Sequence, residues 1–235
     1  ERRARRILPA LFFVMLLCIP FAWVMMLPAQ IRDFSTGLGA VSLFVSNFLF
    51  WKQSGYFAPA AEENPLLHTW SLAVEEQFYL LFPIFLILAW RLGRQKVFWL
   101  IVIIALLSLL ISEWGWRNRP AANFFLAPSR AWELLAGSIS AFLIQQHGVR
   151  SSNAMSFLGI LGILFSIFFY NEHTPFPSLY TLIPVISVML LILFGGKSTL
   201  VARLLSTKVM VGLGLVSYSA YLWHQPLFAF ARLKM

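Results

Sequence analysis

Apolar residues gather along this chain into seven long blocks, at about 7–28, 66–90, 97–113, 124–146, 154–171, 177–194 and 209–230. Each is near the length of roughly 17 to 25 residues at which a helix crosses a bilayer core. An eighth apolar stretch, 36–51, is shorter and is broken up by Gly37, Gly39, Ser42, Ser46 and Asn47. The turns between blocks are short and carry proline, as at Asn64–Pro65, Arg119–Pro120 and Thr174 to Pro177. No repeat, low-complexity tract or second soluble domain interrupts the pattern. The expectation is an all-α, polytopic transmembrane helical bundle with about seven spans and one re-entrant or short helix, forming a single domain over 1–235.

Composition supports this reading. Apolar residues make up 60% of the chain and charged residues 11%, where soluble domains carry about 25% charged residues. The mean hydropathy is +0.78. The net charge of +9 would suit nucleic acid if it lay on one face, but the basic residues sit at the ends of apolar blocks, so no nucleic-acid partner is expected. Cys18 is the single cysteine and lies inside the first block, which rules out an internal disulfide. No metal site is expected.

The basic residues also set an orientation, because Lys and Arg in short loops favour the cytoplasmic side. If 36–51 does not cross, only Arg32, Lys52, Arg117 and Arg119 fall outside. If it does cross, every later loop changes side and the bias disappears. The stretch is therefore expected to be re-entrant or surface-lying, with the amino end of the chain cytoplasmic and the region 29–65 outside.

The chemistry-bearing residues lie mainly in Pro65 to Tyr79. On a helix, His68, Ser71, Glu75 and Tyr79 recur at spacings of three and four and form one stripe, with Glu76 slightly to its side. A carboxylate placed inside a span costs a few kcal/mol unless it has a partner or a wet cavity. Glu75 and Glu76 therefore either pair with arginines such as Arg130 to fasten helices, or belong to a site. Because a His and a Ser share the stripe with Glu75, the site is the favoured reading. Residues on adjacent turns of one helix diverge, so this is no catalytic triad.

Three further groups stand out. Ser129, Arg130 and Glu133 form a polar cluster at a helix start, with Ser129 a candidate N-cap and Arg130 paired i, i+3 to Glu133. Ser217, Tyr221 and His224 share a face of the last block, where they either line a polar cavity or belong to an aromatic belt with Trp223. Arg2, Arg3, Arg5 and Arg6 abut the first block. They read either as a topology signal or as a bidentate phosphate site, which every basic position being arginine would suit.

Arg2 to Pro9, Ser54 to Phe57, Leu67 to Tyr79 and Ser217 to His224 together resemble the acyltransferase 3 family, bacterial inner-membrane O-acyltransferases that modify surface polysaccharide, lipopolysaccharide or peptidoglycan. The likeness runs over nearly the whole chain, and the His68-Thr69-Trp70-Ser71-Leu72 block is its most specific part. The resemblance implies an enzyme that moves an acyl group, most often acetyl, from cytoplasmic acyl-CoA to a glycan hydroxyl outside, with acetyl-CoA as substrate and no resident cofactor. It matches Arg3 and Arg6 to the family's Arg-x-x-Arg motif for the donor phosphates, Arg2 and Arg5 fitting the same spacing. Glu75 matches the acid expected to orient the catalytic centre. His68, Trp70 and Ser71 would shape the cavity from the outer side, with Glu76, Tyr79, Arg130, Glu133, Tyr221 and His224 as lining residues. The resemblance also implies that the chain is a fragment. In the subgroup it looks most like, two helices carrying an essential Arg and His precede this region, and a last membrane helix and an SGNH-type esterase-like domain follow it.

Two other classes compete on sequence grounds. A proton-coupled transporter or flippase would use buried Glu residues as a relay, but its inverted repeats are not visible. A scaffold would need the polar stripes only to hold helices together.

Overall fold

The computed structural model describes residues 2–54 and 63–234, with side chains from Arg5 onward. Among these residues the chain is helical, without strands: α1 (Arg2–Met25), α2 (Pro28–Ser42), α3 (Ser46–Gln53), α4 (Thr69–Ala89), α5 (Arg94–Asn118), α6 (Pro120–Phe125), α7 (Ala127–His147), α8 (Asn153–Phe169), α9 (Leu182–Phe194), α10 (Leu200–Leu205) and α11 (Lys208–Leu233). Short 3-10 turns extend α4 through Leu92 and lead into α9 from Leu179. The helical membrane bundle expected from the hydrophobic pattern is what forms.

Each of the seven predicted spans falls on one of these helices. Arg5–Met25, Thr69–Leu92 and Arg94–Asn118 are long and apolar enough to cross a membrane on their own. α8 and the segment Leu179–Phe194 are apolar but shorter, and α7 and α11 have the length but carry the polar side chains. Large apolar residues face outward along the helices, Trp23 and Phe168 each 76% exposed among them. An unburied apolar surface of this extent belongs against lipid.

Several hydroxyl groups within the helices are satisfied locally, as a bilayer favours. Ser42, Ser140, Ser166 and Ser187 each donate to the carbonyl four residues back. In the middle of α2, Ser35 and Thr36 do the same.

The stretch 36–51 departs from the sequence reading, because it is not one helix. α2 begins earlier, at Pro28, and the chain breaks at Leu43 to Val45 before α3 starts. Phe44 sits at φ 54, a left-handed conformation rare for a bulky side chain. With a rise of about 1.5 Å per residue, the 15 residues of α2 and the 8 of α3 each fall short of a core about 30 Å thick.

Two compact units divide the chain, one of residues 1–77 and 212–235, the other of residues 78–211. Both α4 and α11 contribute a segment to each. The core of the second unit is Ala89, Val97, Ile101 and Leu135, covered by Phe78, Phe82, Phe85 and Phe142. There α5 lies along α7, joined by one serine. Ser108 donates to the Pro128 carbonyl at 2.6 Å and accepts from the Trp132 amide at 3.0 Å, so its hydroxyl is inserted into an i to i−4 step of α7.

α8 and α9 approach closely because glycines face the contact. A Cβ at Gly159 would stand 2.7 Å from the Ser187 carbonyl oxygen and 3.0 Å from Leu191 Cγ. Backbone cannot move aside as a side chain can, so Gly159→Val is expected to destabilise the unit by about 1–3 kcal/mol or more. Gly137, which has open space around it, should accept alanine without loss. Thermal unfolding of the two variants side by side tests the contrast, and equal midpoints would refute the close packing.

Candidate active site

The first unit gathers most of the expected site residues around the turn before α4. Asn64 starts this turn by accepting the Leu66 amide on its side chain at 2.9 Å, an Asx turn that carries the chain past Pro65. The first amides of α4 then bond three residues back, Thr69 to Leu66 and Ser71 to His68. Thr69 and Ser46 fasten the turn below. The Thr69 hydroxyl bonds to Ser46 Oγ at 3.2 Å, and Ser46 Oγ donates to the Thr69 carbonyl at 3.0 Å.

α11 meets this turn with Tyr221 and Gln225 and meets α1 with Tyr218, the three spaced by three and four on one face. Tyr218 donates to the Ile7 carbonyl at 3.1 Å, and Gln225 Nε2 to the Asn64 carbonyl at 3.0 Å. The Tyr221 hydroxyl lies between Ser71 Oγ, 2.6 Å away, and the His68 carbonyl, to which it donates. A phenol has one proton. With that proton on the His68 carbonyl, the bond to Ser71 must run from the serine to the phenolic oxygen.

Two histidines complete the cluster. The His68 ring stands edge-on to the rings of Tyr221 and His224, with centroids 5.2 and 5.3 Å away. His68 is 8% exposed, and neither of its ring nitrogens meets a hydrogen-bond partner among the described residues. The Pro65 carbonyl is near enough to act on the ring electrostatically without bonding geometry. His224 is anchored through Nδ1 to the Tyr221 carbonyl at 2.5 Å. A carbonyl only accepts, so Nδ1 carries a proton and donates it here. Glu75, one turn beyond Ser71, is half-buried and within electrostatic range of the Tyr221 hydroxyl.

His68, Ser71, Tyr221 and His224 therefore come together with Glu75 beside them, and Trp70 and Glu76 lie half-buried on the same turns. The other residues singled out in the sequence lie as follows. Ser217 is exposed and bonds its own helix at the Gly214 carbonyl. Tyr79 belongs to the second unit and is 44% exposed, its ring edge-on to Phe78. Arg5 and Arg6 are exposed at the start of α1, the side chains of Arg2 and Arg3 lie outside the described residues, and so do Gly55, Tyr56 and Phe57.

Arg130 and Glu133 form a cluster of their own in the second unit. Arg130, 7% exposed, pairs with Glu133 at 3.3 Å, donates through Nε to the Phe124 carbonyl, and lies over the rings of Phe124 and Phe176 at 5.1 and 4.4 Å. This is the helix-start anchor, with a cation on two aromatic faces. Ser129 is not the N-cap. Leu126 holds that position, and Ser129 donates to the Asn123 carbonyl at 2.6 Å because Pro128 already opens the helix.

Sequence reading passed over Gln77. Its amide donates to the Phe44 carbonyl and to Asn47 Oδ1, both at 2.9 Å, and so holds the left-handed break between α2 and α3. Its one sequence signal was a third polar residue following Glu75 and Glu76 inside an apolar block. Gln77→Leu should remove both bonds and leave the fully buried Asn47 short of a donor, a loss of about 1–3 kcal/mol. An unchanged unfolding midpoint would show that the break does not depend on it.

No group of three or more His, Cys, Asp or Glu side chains that could hold a metal occurs among the described residues. A bundle of lipid-facing helices that gathers His, Tyr, Ser and Glu at one helix start defines a membrane protein with an internal polar site. The chain belongs to the acyltransferase 3 family, whose model, described as an acyltransferase domain, matches residues 1–234. Among curated relatives, O-acetyltransferase OatA of Staphylococcus aureus is 30% identical over 98% of this chain and 40% of its own length. A Bacillus subtilis protein named as a peptidoglycan O-acetyltransferase, YrhL, is 29% identical over 96% of this chain and 38% of its own. A Haemophilus influenzae protein of unassigned function is 32% identical over 81% of this chain and 83% of its own. The chain thus spans about two fifths of the two relatives that carry an activity in their names. No solved structure matches it.

Proposed function

We propose that residues 1–235 act as one membrane domain of an O-acyltransferase, which moves an acyl group, acetyl above all, from cytoplasmic acyl-CoA to a hydroxyl of an extracytoplasmic glycan. Peptidoglycan, lipopolysaccharide and other surface polysaccharides are the acceptor classes, and the bacterial inner membrane is the setting, with the amino end of the chain cytoplasmic. The full-length protein on this reading also carries the SGNH-type domain. The observation that most supports the proposal is the Tyr221 hydroxyl seated between Ser71 and the His68 carbonyl, which joins α11 to the family's most specific motif.

Overall, the acceptor oxygen bonds to the acyl carbon, the thioester C–S bond breaks, and the hydroxyl proton ends on the released thiol. Such a transfer needs a proton acceptor at the hydroxyl and donors at the developing oxyanion. His224 and Tyr221 line the cavity from α11. Glu75 orients and polarises the centre, and His68, Trp70 and Ser71 shape its cavity. The arginines at the start of α1 bind the donor's phosphates, for which the planar guanidinium is suited.

In the full-length protein, Arg3→Ala combined with Arg6→Ala should raise the KM for acyl-CoA at least about tenfold, the worth of one charged hydrogen bond, while kcat changes little. An unaltered KM would remove the donor site from α1.

A further inference from the structure

In the second unit, the ends of α7 and α9 border a cavity of about 260 Å³ that the proposed chemistry does not use. Leu143, Leu193 and Phe194 give it apolar walls, the exposed Arg150 gives it positive charge, and the exposed His147 gives it a ring that can hydrogen-bond. The backbone there is firmly built. Gly148, at φ 72, stops α7 straight after His147. The next residues cross the end of α9, with the Arg150 amide donating to the Leu193 carbonyl at 2.9 Å and the Gly196 amide to the Arg150 carbonyl at 3.2 Å. Arg150 is thus projected from a backbone bonded on both sides.

Its charge is uncompensated. Among the described residues, neither the Arg150 guanidinium nor the His147 ring has a hydrogen bond, an ion pair or a ring contact with the protein. The carboxylates of this unit are engaged elsewhere: Glu113 with Arg117 and the Leu179 amide, Glu133 with Arg130, Glu172 beside His173. Glu172 lies in the loop between α8 and α9, at the opposite ends of those helices. The cavity end has more cations instead. Phe98 near the start of α5 meets Phe142 near the end of α7 at 6.1 Å, which brings Arg94 and Lys96 to this end, and Lys197 follows Gly196.

We propose that this cavity is a binding site for an anionic phospholipid of the surrounding bilayer. The phosphate is held by Arg150 and His147, and the first acyl carbons lie on Leu143, Leu193 and Phe194. Basic pockets at the ends of membrane helices recognise anionic headgroups through this combination of charge and apolar wall. The cavity holds a headgroup and not a whole lipid, so the chain must continue outside it. Val188 and Ile192, one turn apart and both exposed on α9, offer such a track. The site is independent of the acyl-transfer reading and requires only that the chain lie in a membrane.

The test is native mass spectrometry of the full-length protein, delipidated and then exposed to equal phosphatidylglycerol and phosphatidylcholine. Wild type should retain phosphatidylglycerol at least about fivefold over phosphatidylcholine. Arg150→Gln with His147→Gln should bring the ratio near one, and Arg150→Lys should keep most of it. If the double variant does not fold, Leu193→Trp, which fills the cavity, should lower retention of phosphatidylglycerol by itself. Equal retention of both lipids by wild type, or an unchanged ratio in the variants, would overturn the proposal. So would displacement of phosphatidylglycerol by millimolar inorganic phosphate or coenzyme A, which would make this a site for soluble phosphates.

Discussion

Glu75→Ala in the full-length protein is expected to lower O-acyl transfer by about a hundredfold or more, the usual weight of a group that positions proton transfer. The residue lies in the second turn of α4, half-buried, inside a helix apolar enough to span the membrane. A carboxylate is expensive there, and this one is within electrostatic range of the hydroxyl that Ser71 and the His68 carbonyl hold. Glu75→Gln separates charge from shape, since it keeps the volume and the hydrogen-bonding reach. Activity restored by glutamine would assign Glu75 a fastening role, whereas loss in both variants with an intact fold would assign it to the site. Acyl transfer and the unfolding midpoint should be measured on the same preparations.

Tyr221→Phe should have the next largest effect, a drop in transfer of about ten- to a hundredfold with a loss of stability of only about 1–2 kcal/mol. The phenol touches both the turn before α4 and Ser71. Without it, the Ser71 hydroxyl can swing to the His68 carbonyl, already 3.4 Å away, so the fold survives while the link from the turn and Ser71 to α11 is lost. The direction of the bonds adds a sharper expectation. Ser71 donates to Tyr221 and Tyr221 donates onward, so Ser71→Ala leaves the bond to His68 intact and should cost less activity than Tyr221→Phe. The reverse ranking would mean that the protons run the other way.

Much of this architecture was legible in the chain. Long apolar blocks give long apolar helices because a bilayer leaves the backbone no other partner, and the spacing of Ser71 and Glu75 placed them one turn apart on α4, while His68 falls in the turn before the helix and not on its stripe. The stretch 36–51 was not legible, because its break depends on Gln77, 33 residues after Phe44, and on Asn47 inside the break. The role of Ser129 was misread for a similar reason. N-cap preference is a local rule, and here Pro128 opens the helix while Ser108, 20 residues earlier, occupies the Pro128 carbonyl. The site shows the same limit on a larger scale. Periodicity found its two halves separately, one on α4 and one on α11, but the bond that joins them links Ser71 to Tyr221 across 150 residues, a distance at which helical spacing carries no information. Where a motif was long, as at Leu67 to Tyr79, resemblance supplied the link that periodicity did not.

The central claim, acyl transfer from one side of the membrane to the other, is tested most directly by reconstituting the full-length protein in sealed vesicles of known orientation and supplying acetyl-CoA labelled in the acetyl group to one face only. The account predicts labelled ester on a glycan hydroxyl at the opposite face when the donor is on the side of Arg2 to Arg6, and none when it is supplied from the other. Label transferred only from the other side, or no transfer from either with donor and acceptor present, would contradict it.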